Sequence, residues 1–293
     1  MRAAAMIMGL ASASTLSCAE PLVNDGPQPV ETLREQLTLF FPMDETEGAE
    51  HFDRVNQLTL VSWQRTGFGA YAVDESGTTA VPSAVGDGQH IAGAKGFHFA
   101  MYTDPALDHD ARSFTWAGWM SVDAANGDSV IEGDQTFLAK WNGIPDTTAA
   151  VDHREYRIWH DHALSRLRFE VSADGLEGDA HSEIVTHSTP IERDQLYFIE
   201  AWHDADKESI NLRVSTQRAR GERVSAAWSG GVFAGDADLD VGAQNTCTDA
   251  HLQGRVDALG HWKRVLSEEE SLALWNDGAG FEPVSDYTET PLK

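Results

Sequence analysis

The sequence contains few cysteines and few basic residues. Only Cys18 and Cys247 occur among 293 residues, so no disulfide framework can hold the chain and a hydrophobic core must stabilise it. Lysine and arginine together number 21, against 47 aspartates and glutamates, and the formal net charge is −26. Because nucleic-acid binding needs a basic surface, this balance argues against a nucleic-acid partner. The excess of acid favours a well-solvated, self-repelling surface.

Motifs for hydrolytic or phosphoryl-transfer chemistry are also missing. There is no Gly-x-Ser-x-Gly, no phosphate-binding loop and no zinc-protease helix. A Glu-x-Asp-x-Glu strand, which would place several acids on one face for glycoside hydrolysis, is absent as well. Glu268, Glu269 and Glu270 form an acidic run, but they stand at the start of a predicted helix, where the helix dipole favours them.

Residues 1–18 combine Arg2 with a run of apolar and small residues that is too short to span a membrane, which predicts a signal peptide. The last three of these residues resemble a bacterial lipobox ending at Cys18, although Thr15 stands where that motif prefers leucine. We therefore expect an exported protein whose Cys18 is lipidated, so that a lipid anchor is its only contact with a membrane. Ordinary signal-peptide cleavage near Ala13 or Ala19, giving a secreted protein, is the alternative.

The rest of the chain is predicted to contain a linker over 19–36, one β-rich domain over 37–281 and a tail over 282–293. About a dozen strand-like runs are separated by turn signals, as in a β-sandwich. Alternating apolar residues predict a strand over 113–122. A hairpin is predicted over 154–172, with Glu170 facing water. A second hairpin is predicted over 196–216 and a loop excursion with one or two strands over 64–95.

The segment 254–278 carries the clearest local signals. Strict alternation predicts a strand in which Val256, Ala258, Gly260 and Trp262 share one face. Ser267 then begins a helix, and Glu270 completes a capping box. Leu272 and Trp275 are three residues apart, so we expect both to pack against the domain.

This segment resembles the C-terminal signature of bacterial laminin G-like domains, which belong to the concanavalin A-like lectin/glucanase superfamily. The matching positions are Gly254, Val256, Asp257, Trp262, Leu266, Ser267, Glu269, Glu270, Leu274 and Trp275. The resemblance implies an all-β, antiparallel jelly-roll β-sandwich with a short C-terminal helix. It does not decide the function, because the fold hosts lectins, glycosidases, lyases and adhesive modules.

The same resemblance implies that one structural Ca²⁺ could join the first strand region to the last strand. Asp257 stands at the position of a possible ligand, and Asp53 or Asp44 could supply further oxygens, which Ca²⁺ prefers. The alternative is that these aspartates cap turns by accepting bonds from backbone N–H groups.

Glu200 and Trp202 lie on one face of a predicted strand and are the candidate ligand-binding pair. An aromatic ring beside a carboxylate suits a sugar, with the ring as platform and the carboxylate as acceptor for hydroxyl groups. The alternative is that Glu200 pairs with Arg157 or Arg213 on a neighbouring strand.

The predicted function is a non-catalytic surface or secreted recognition module, with a polysaccharide or glycoconjugate as the expected partner. Two other hypotheses remain open. One is a polysaccharide-degrading hydrolase or lyase with a non-standard active site. The other is a structural envelope protein that binds other proteins.

Overall fold

The computed structural model describes residues 29–67, 70–73, 79–92, 95–99, 107, 109, 112–124, 133–142, 153–245 and 250–284. Cys18 and Cys247 lie outside this part of the chain, and so does most of the predicted linker. Within it, no helix has the length and apolar character needed to cross a membrane. The described residues form a nearly all-β domain, as predicted.

The strands are β1 (Leu37–Phe41), β2 (Glu50–Phe52), β3 (Thr59–Gly67), β4 (Ala70–Val73), β5 (Thr79–Pro82), β6 (Asp87–Ile91), β7 (Lys95–Phe99), β8 (Phe114–Val122), β9 (Gln135–Asn142), β10 (His153–Asp161), β11 (Arg166–Gly175), β12 (Ser182–Pro190), β13 (Tyr197–Asp204), β14 (Ser209–Thr216), β15 (Arg223–Ala227), β16 (Leu239–Val241) and β17 (Gly254–Trp262). The helices are α1 (Pro29–Thr32) and α2 (Glu268–Trp275), and a 3₁₀ turn follows at Asn276–Gly278.

These strands form two antiparallel sheets. Sheet A has the order β15-β14-β13-β8-β17-β6-β5, and β1 also pairs with β17. Sheet B has the order β12-β11-β10-β9-β16-β7-β3-β2, and β4 also pairs with β3. The predicted antiparallel sandwich is therefore confirmed, as are the hairpins β10–β11 and β13–β14.

The main core lies between the two sheets. β8 supplies Phe114, Trp116 and Met120 to it, and β10 supplies Tyr156 and Ile158 from the opposite sheet. Because side chains alternate along a strand, the intervening residues of β8 face outward. All nine residues of β8 are buried nevertheless. The outer face of sheet A must therefore be covered too.

A second core covers that outer face. Trp119, Phe198 and Trp262 project from the sheet into it, and Leu33 and Leu274 reach it from the segment after α1 and from α2. The indole N–H of Trp262 donates to the carbonyl of Leu33 at 2.7 Å, which ties β17 to the segment after α1. The first and last described elements thus pack on the same side of sheet A.

The predicted alternation along β17 is wrong beyond Asp257. Pairing with β8 shifts between Asp257 and Gly260, and Ala258 adopts a φ of 47°. This β-bulge changes the phase of the strand. Leu259 therefore joins Val256 in the main core, whereas Ala258 and Trp262 lie in the second core.

Helix α2 has the predicted start but a different buried face. The Ser267 side chain accepts from the N–H of Glu270, and the Glu270 carboxylate accepts from the N–H of Ser267, so the capping box is present. Buried positions include Ser271, Leu274 and Trp275, which form a stripe at helical spacing. Leu272 lies off this stripe and is 47% exposed, so the prediction that it packs downward is wrong.

Candidate ligand-binding pocket

A pocket of about 420 Å³ lies beside the second core. Its lining comes from residues 82–83 at the end of β5, 194–196 before β13, 217–218 after β14, and Arg255 in β17. Arg255 precedes the inward-facing Val256, so its side chain projects to the outer face of sheet A. The volume falls in the range of roughly 300–1,000 Å³ that is usual for small-ligand sites.

Two arginines give this pocket its charge. The Nε atom of Arg255 is buried and has no hydrogen-bond partner within the described residues. Arg218 is exposed, and its guanidinium forms no ion pair with any residue of the described part. Asp194 is the one carboxylate in the lining, so the lining as a whole carries a positive charge on a strongly acidic protein.

The amide and carboxylate groups of the pocket can form hydrogen bonds with the hydroxyl groups of a ligand. Gln195 and Gln217 line it with side-chain amides, each of which offers both donors and an acceptor. Asp194 is fixed by its backbone N–H, which donates to the carbonyl of Val122 at 2.7 Å. Its Oδ1 also accepts from the N–H of Ala124 at 2.8 Å, which leaves Oδ2 as a further acceptor.

Helix α2 positions the wall that carries Arg218. The indole N–H of Trp275 donates to the carbonyl of Thr216 at 2.9 Å. The hydroxyl oxygen of Thr216 in turn accepts from the N–H of Arg218 at 3.2 Å. Gly278 packs against the same turn, where a Cβ would lie 1.7 Å from the carbonyl oxygen of Gln217, so only glycine fits.

Asp257 positions the opposite wall. Its Oδ2 accepts from the N–H groups of Ala84 at 3.1 Å and Val85 at 3.0 Å, and so fastens the turn that begins at Ser83 to β17. Burial raises the pKa of the Asp257 carboxyl to about 7, although the N–H donors act in the opposite direction. Asp257 is fully buried and does not line the pocket.

The other aspartates predicted as calcium ligands have different contacts. Asp53 accepts from the N–H groups of Phe40 at 2.6 Å and Val55 at 3.1 Å through Oδ1, and from that of Asn56 at 2.6 Å through Oδ2. Burial raises the pKa of the Asp53 carboxyl. Asp44 forms an ion pair of 2.8 Å with Arg54.

These contacts do not fit a calcium site made by the three aspartates. The N–H groups that point at Asp53 and Asp257 carry partial positive charge and would oppose a bound cation. Within the part of the chain that the structure describes, no three His, Cys, Asp or Glu side chains group as a metal site would require. The contacts are those of the turn-capping alternative, and calcium binding itself stays a prediction.

Glu200 and Trp202 lie under the segment that includes α2 and do not line the pocket. Glu200 is 2% exposed, pairs with Arg213 at 3.3 Å and accepts a short hydrogen bond from the hydroxyl of Ser271. Arg213 also binds Glu268 at 2.6 Å, and its guanidinium carbon lies 5.8 Å from the ring centroid of Trp202. Glu200 therefore pairs with Arg213 on the neighbouring strand, which is the alternative to a ligand-binding role. These contacts attach α2 to sheet A.

Sheet B carries a cluster of stacked arginine and tryptophan side chains with one buried carboxylate. We call this cluster the arginine–tryptophan face, and it consists of Trp141, Arg157, Trp159, Arg168 and Glu170. The guanidinium carbon of Arg157 lies 4.4 Å from the ring centroids of both Trp141 and Trp159. Its Nε donates to Glu170 at 2.8 Å, and Arg168 stacks on Trp159 at 5.1 Å. Glu170 is only 1% exposed, so the prediction that it faces water is wrong because Arg157 covers it.

No family model matches this sequence, and no curated protein matches it. Solved structures do share its fold. The binding domain of Paraclostridial Mosquitocidal Protein 1 matches with a TM-score of 0.53 and 12% identity over 84% of this chain and 52% of that one. A mutant of Trypanosoma rangeli sialidase displaying trans-sialidase activity matches with a TM-score of 0.53 and 14% identity over 86% of this chain and 35% of that one.

The Ruminococcus gnavus IT-sialidase CBM40, bound to α2,3-sialyllactose, aligns with a TM-score of 0.46 and 12% identity over 62% of this chain and 92% of that one. This chain therefore spans about half of the toxin domain and about a third of the sialidase. At identities this low, the two matches with a TM-score of 0.53 show a shared β-sandwich fold. The laminin G-like resemblance stays a prediction.

The pocket was not predicted from the sequence because its lining is assembled from four distant segments. Arg255 lies in the predicted strand of the segment 254–278, where alternation gives no sign of a binding role. Residues 82–83 fall in the stretch predicted as a loop excursion with few strand signals, yet β5 and β6 form the edge of sheet A there. The sequence offered little signal, because Arg218 and Arg255 are two of 21 basic residues.

Proposed function

We propose that this protein is a non-catalytic recognition module that binds a glycan in the pocket at Arg218 and Arg255. The observation that supports this most directly is the lining of the pocket. Guanidinium, amide and carboxylate groups meet there, and some of their hydrogen-bond donors and acceptors have no partner among the described residues. Sugars present many hydroxyl groups that donate and accept hydrogen bonds, and the groups of this lining can bond to them. Proteins that share the fold include a toxin binding domain and a sialidase, which is consistent with a recognition role.

The carboxylates support binding in preference to bond cleavage. Standard glycoside hydrolysis uses two carboxyl groups on either side of the bond. Asp194 is the one carboxylate in the lining, and its Oδ1 is already engaged by a backbone N–H. Glu200, the carboxylate predicted to bind a ligand, is held by Arg213 and Ser271 beneath α2.

A glycan array with the full chain tests the proposal. We expect binding to at least one class of glycan, and we expect the double substitution Gln195→Ala with Gln217→Ala to weaken it because both amides line the pocket. Gln253→Ala is the matched control, since Gln253 does not line the pocket. No binding to any glycan, with or without calcium, would contradict the proposal.

We further propose that the protein is exported and anchored in a bacterial envelope by a lipid on Cys18. The support is the sequence of residues 1–18. Labelling with a radioactive fatty acid should mark the wild-type protein and not the Cys18→Ala variant. Equal labelling of both proteins would refute lipidation at this residue.

A further inference from the structure

We infer that the pocket takes an acidic sugar residue, whose carboxylate or sulfate lies between Arg218 and Arg255. This inference rests on the proposed glycan-binding function and names the class of glycan. It follows from three properties of the lining: two guanidinium groups without acidic partners, a buried guanidinium nitrogen, and nearby groups suited to sugar hydroxyls.

The arginines of the pocket contrast with three arginines of the described chain that bind carboxylates. Arg54 binds Asp44 and Glu282, Arg213 binds Glu200 and Glu268, and Arg264 binds Glu270. Neither pocket arginine has such a partner among the described residues. Other described arginines, such as Arg223, also form no ion pair, but Arg218 and Arg255 line one cavity together, and this arrangement suits an anionic ligand.

The nearest acid along β17 does not serve Arg255. Asp257 is two residues away on the same strand, but its Oδ2 accepts from the N–H groups of Ala84 and Val85. The Nε–H of Arg255 is buried without an acceptor, and a buried donor without a partner is costly. An anionic ligand would supply the acceptor.

A guanidinium group is well matched to this task. Its planar donors bind carboxylates and oxyanions through two parallel hydrogen bonds, which fixes the orientation of the ligand as well as its charge. The amides of Gln195 and Gln217 and the carboxylate of Asp194 line the same cavity and remain for the sugar hydroxyls. A neutral sugar would use these groups but would leave Arg255 without an acceptor.

The test measures binding of the full chain to paired ligands that differ only in charge. Oligogalacturonate is compared with its fully methyl-esterified form, and a sulfated oligosaccharide with its desulfated form. We expect the acidic member of one pair to bind at least about tenfold more tightly than the neutral member. The pair that shows the difference identifies carboxylate or sulfate as the preferred group.

Substitutions then locate the anion. Arg255→Ala and Arg218→Ala should each reduce affinity for the acidic ligand by about tenfold or more, and Arg255→Lys should restore only part of it because lysine lacks the planar fork. Arg223→Ala is the matched control, because Arg223 is exposed, lies on β15 and does not line the pocket. Melting temperatures of all variants show whether each one folds.

The outcomes separate the inference from the function beneath it. Equal binding of acidic and neutral members, with loss in the double amide variant, would overturn the inference and leave the glycan-binding function standing. Acidic ligands that bind the arginine variants as well as the wild type would also overturn it. Failure of every glycan to bind would refute the function itself.

Discussion

Arginine serves opposite purposes on the two sheets. On sheet B, Arg157 is stacked between two tryptophan rings and bonded to Glu170, so its positive charge is neutralised within the protein. Beside sheet A, Arg255 of β17 and Arg218 of the turn after β14 have no carboxylate partner among the described residues, so their charge is available to a ligand. The same residue type is neutralised on one surface and left able to bind an anion on the other. The difference is whether an acidic residue lies on the adjacent strand.

The contrast also has an energetic side. A stacked and bonded guanidinium stabilises the folded protein, whereas a partly buried one without a partner carries a desolvation cost. Proteins commonly give up stability at binding sites in this way. Substitutions in the arginine–tryptophan face should therefore lower stability, and substitutions at the pocket arginines should lower binding.

The largest expected effect is on the arginine–tryptophan face. Glu170→Ala removes the carboxylate that accepts from Arg157 and from the hydroxyl of Ser182, and it should lower the free energy of unfolding by about 2–4 kcal/mol. Urea denaturation measures this. The control is Glu177→Ala, whose exposed side chain pairs with the same Arg157 and should cost less than about 1 kcal/mol. Similar losses in the two variants would show that the buried bonds of Glu170 add no more stability than the exposed pair at Glu177.

The second effect concerns Asp257, the acid two residues from Arg255 on β17. Folding raises its pKa from 3.8 to about 7, so the folded state holds the proton more tightly than the unfolded state. Its contribution to stability is complete below about pH 4 and is lost as the pH rises to about 7. Relative to Asp257→Asn, the wild type should lose stability over this interval with a slope of up to about 1.4 kcal/mol per pH unit.

Taking the difference between the two proteins removes the common contribution of the histidines. Unfolding at pH 4, 5, 6, 7 and 8 provides the comparison. A stability difference that stays constant over the whole range would show that the carboxyl titrates normally.

The third effect, on stability, comes from Glu200. It distinguishes a ligand-binding role for this carboxylate from a structural role as the partner of Arg213. Glu200→Gln keeps the shape of the side chain but weakens the bonds to Arg213 and Ser271, so the free energy of unfolding should fall by about 1–2 kcal/mol. Glycan binding should be unchanged because Glu200 lies outside the pocket. Loss of binding at unchanged stability would instead restore Glu200 as a ligand group.

The smallest effect tests whether α2 supports the pocket. Trp275→Phe removes the hydrogen bond to the carbonyl of Thr216 and should cost about 1 kcal/mol in stability. Trp228→Phe removes a comparable indole bond, to the carbonyl of Gly231, away from the pocket lining. Only Trp275→Phe should also weaken glycan binding, by a few-fold. Equal binding by the two variants would show that the turn at Arg218 does not depend on α2.

Features with a local sequence signal were predicted well. β8 and the two hairpins follow from alternation and turns, and the capping box of α2 follows from the Ser267–Glu270 spacing. The bulge in β17 was not predictable from alternation, because it depends on a positive φ at Ala258, a residue that rarely adopts one. The buried state of Glu170 depends on Arg157 from the adjacent strand, which a single-strand pattern does not reveal.

The candidate site is harder to predict than the fold for a related reason. Its walls are set by pairings between residues far apart in the sequence, such as Asp257 with the turn at Ala84 and Trp275 with Thr216. Each partner alone looks like an ordinary strand or helix residue. Only the assembled sheet shows that Arg218 and Arg255 line the same cavity.

The central place of β17 has a consequence for biosynthesis. This strand pairs with β8 on one side and with both β1 and β6 on the other. A nascent chain therefore lacks the middle of sheet A until the ribosome has delivered residues 254–262. Since protein synthesis adds only about 5–20 residues per second, most of this domain must wait for seconds without its closing strand. A chain truncated ahead of Gly254 would be left with open strand edges that invite aggregation.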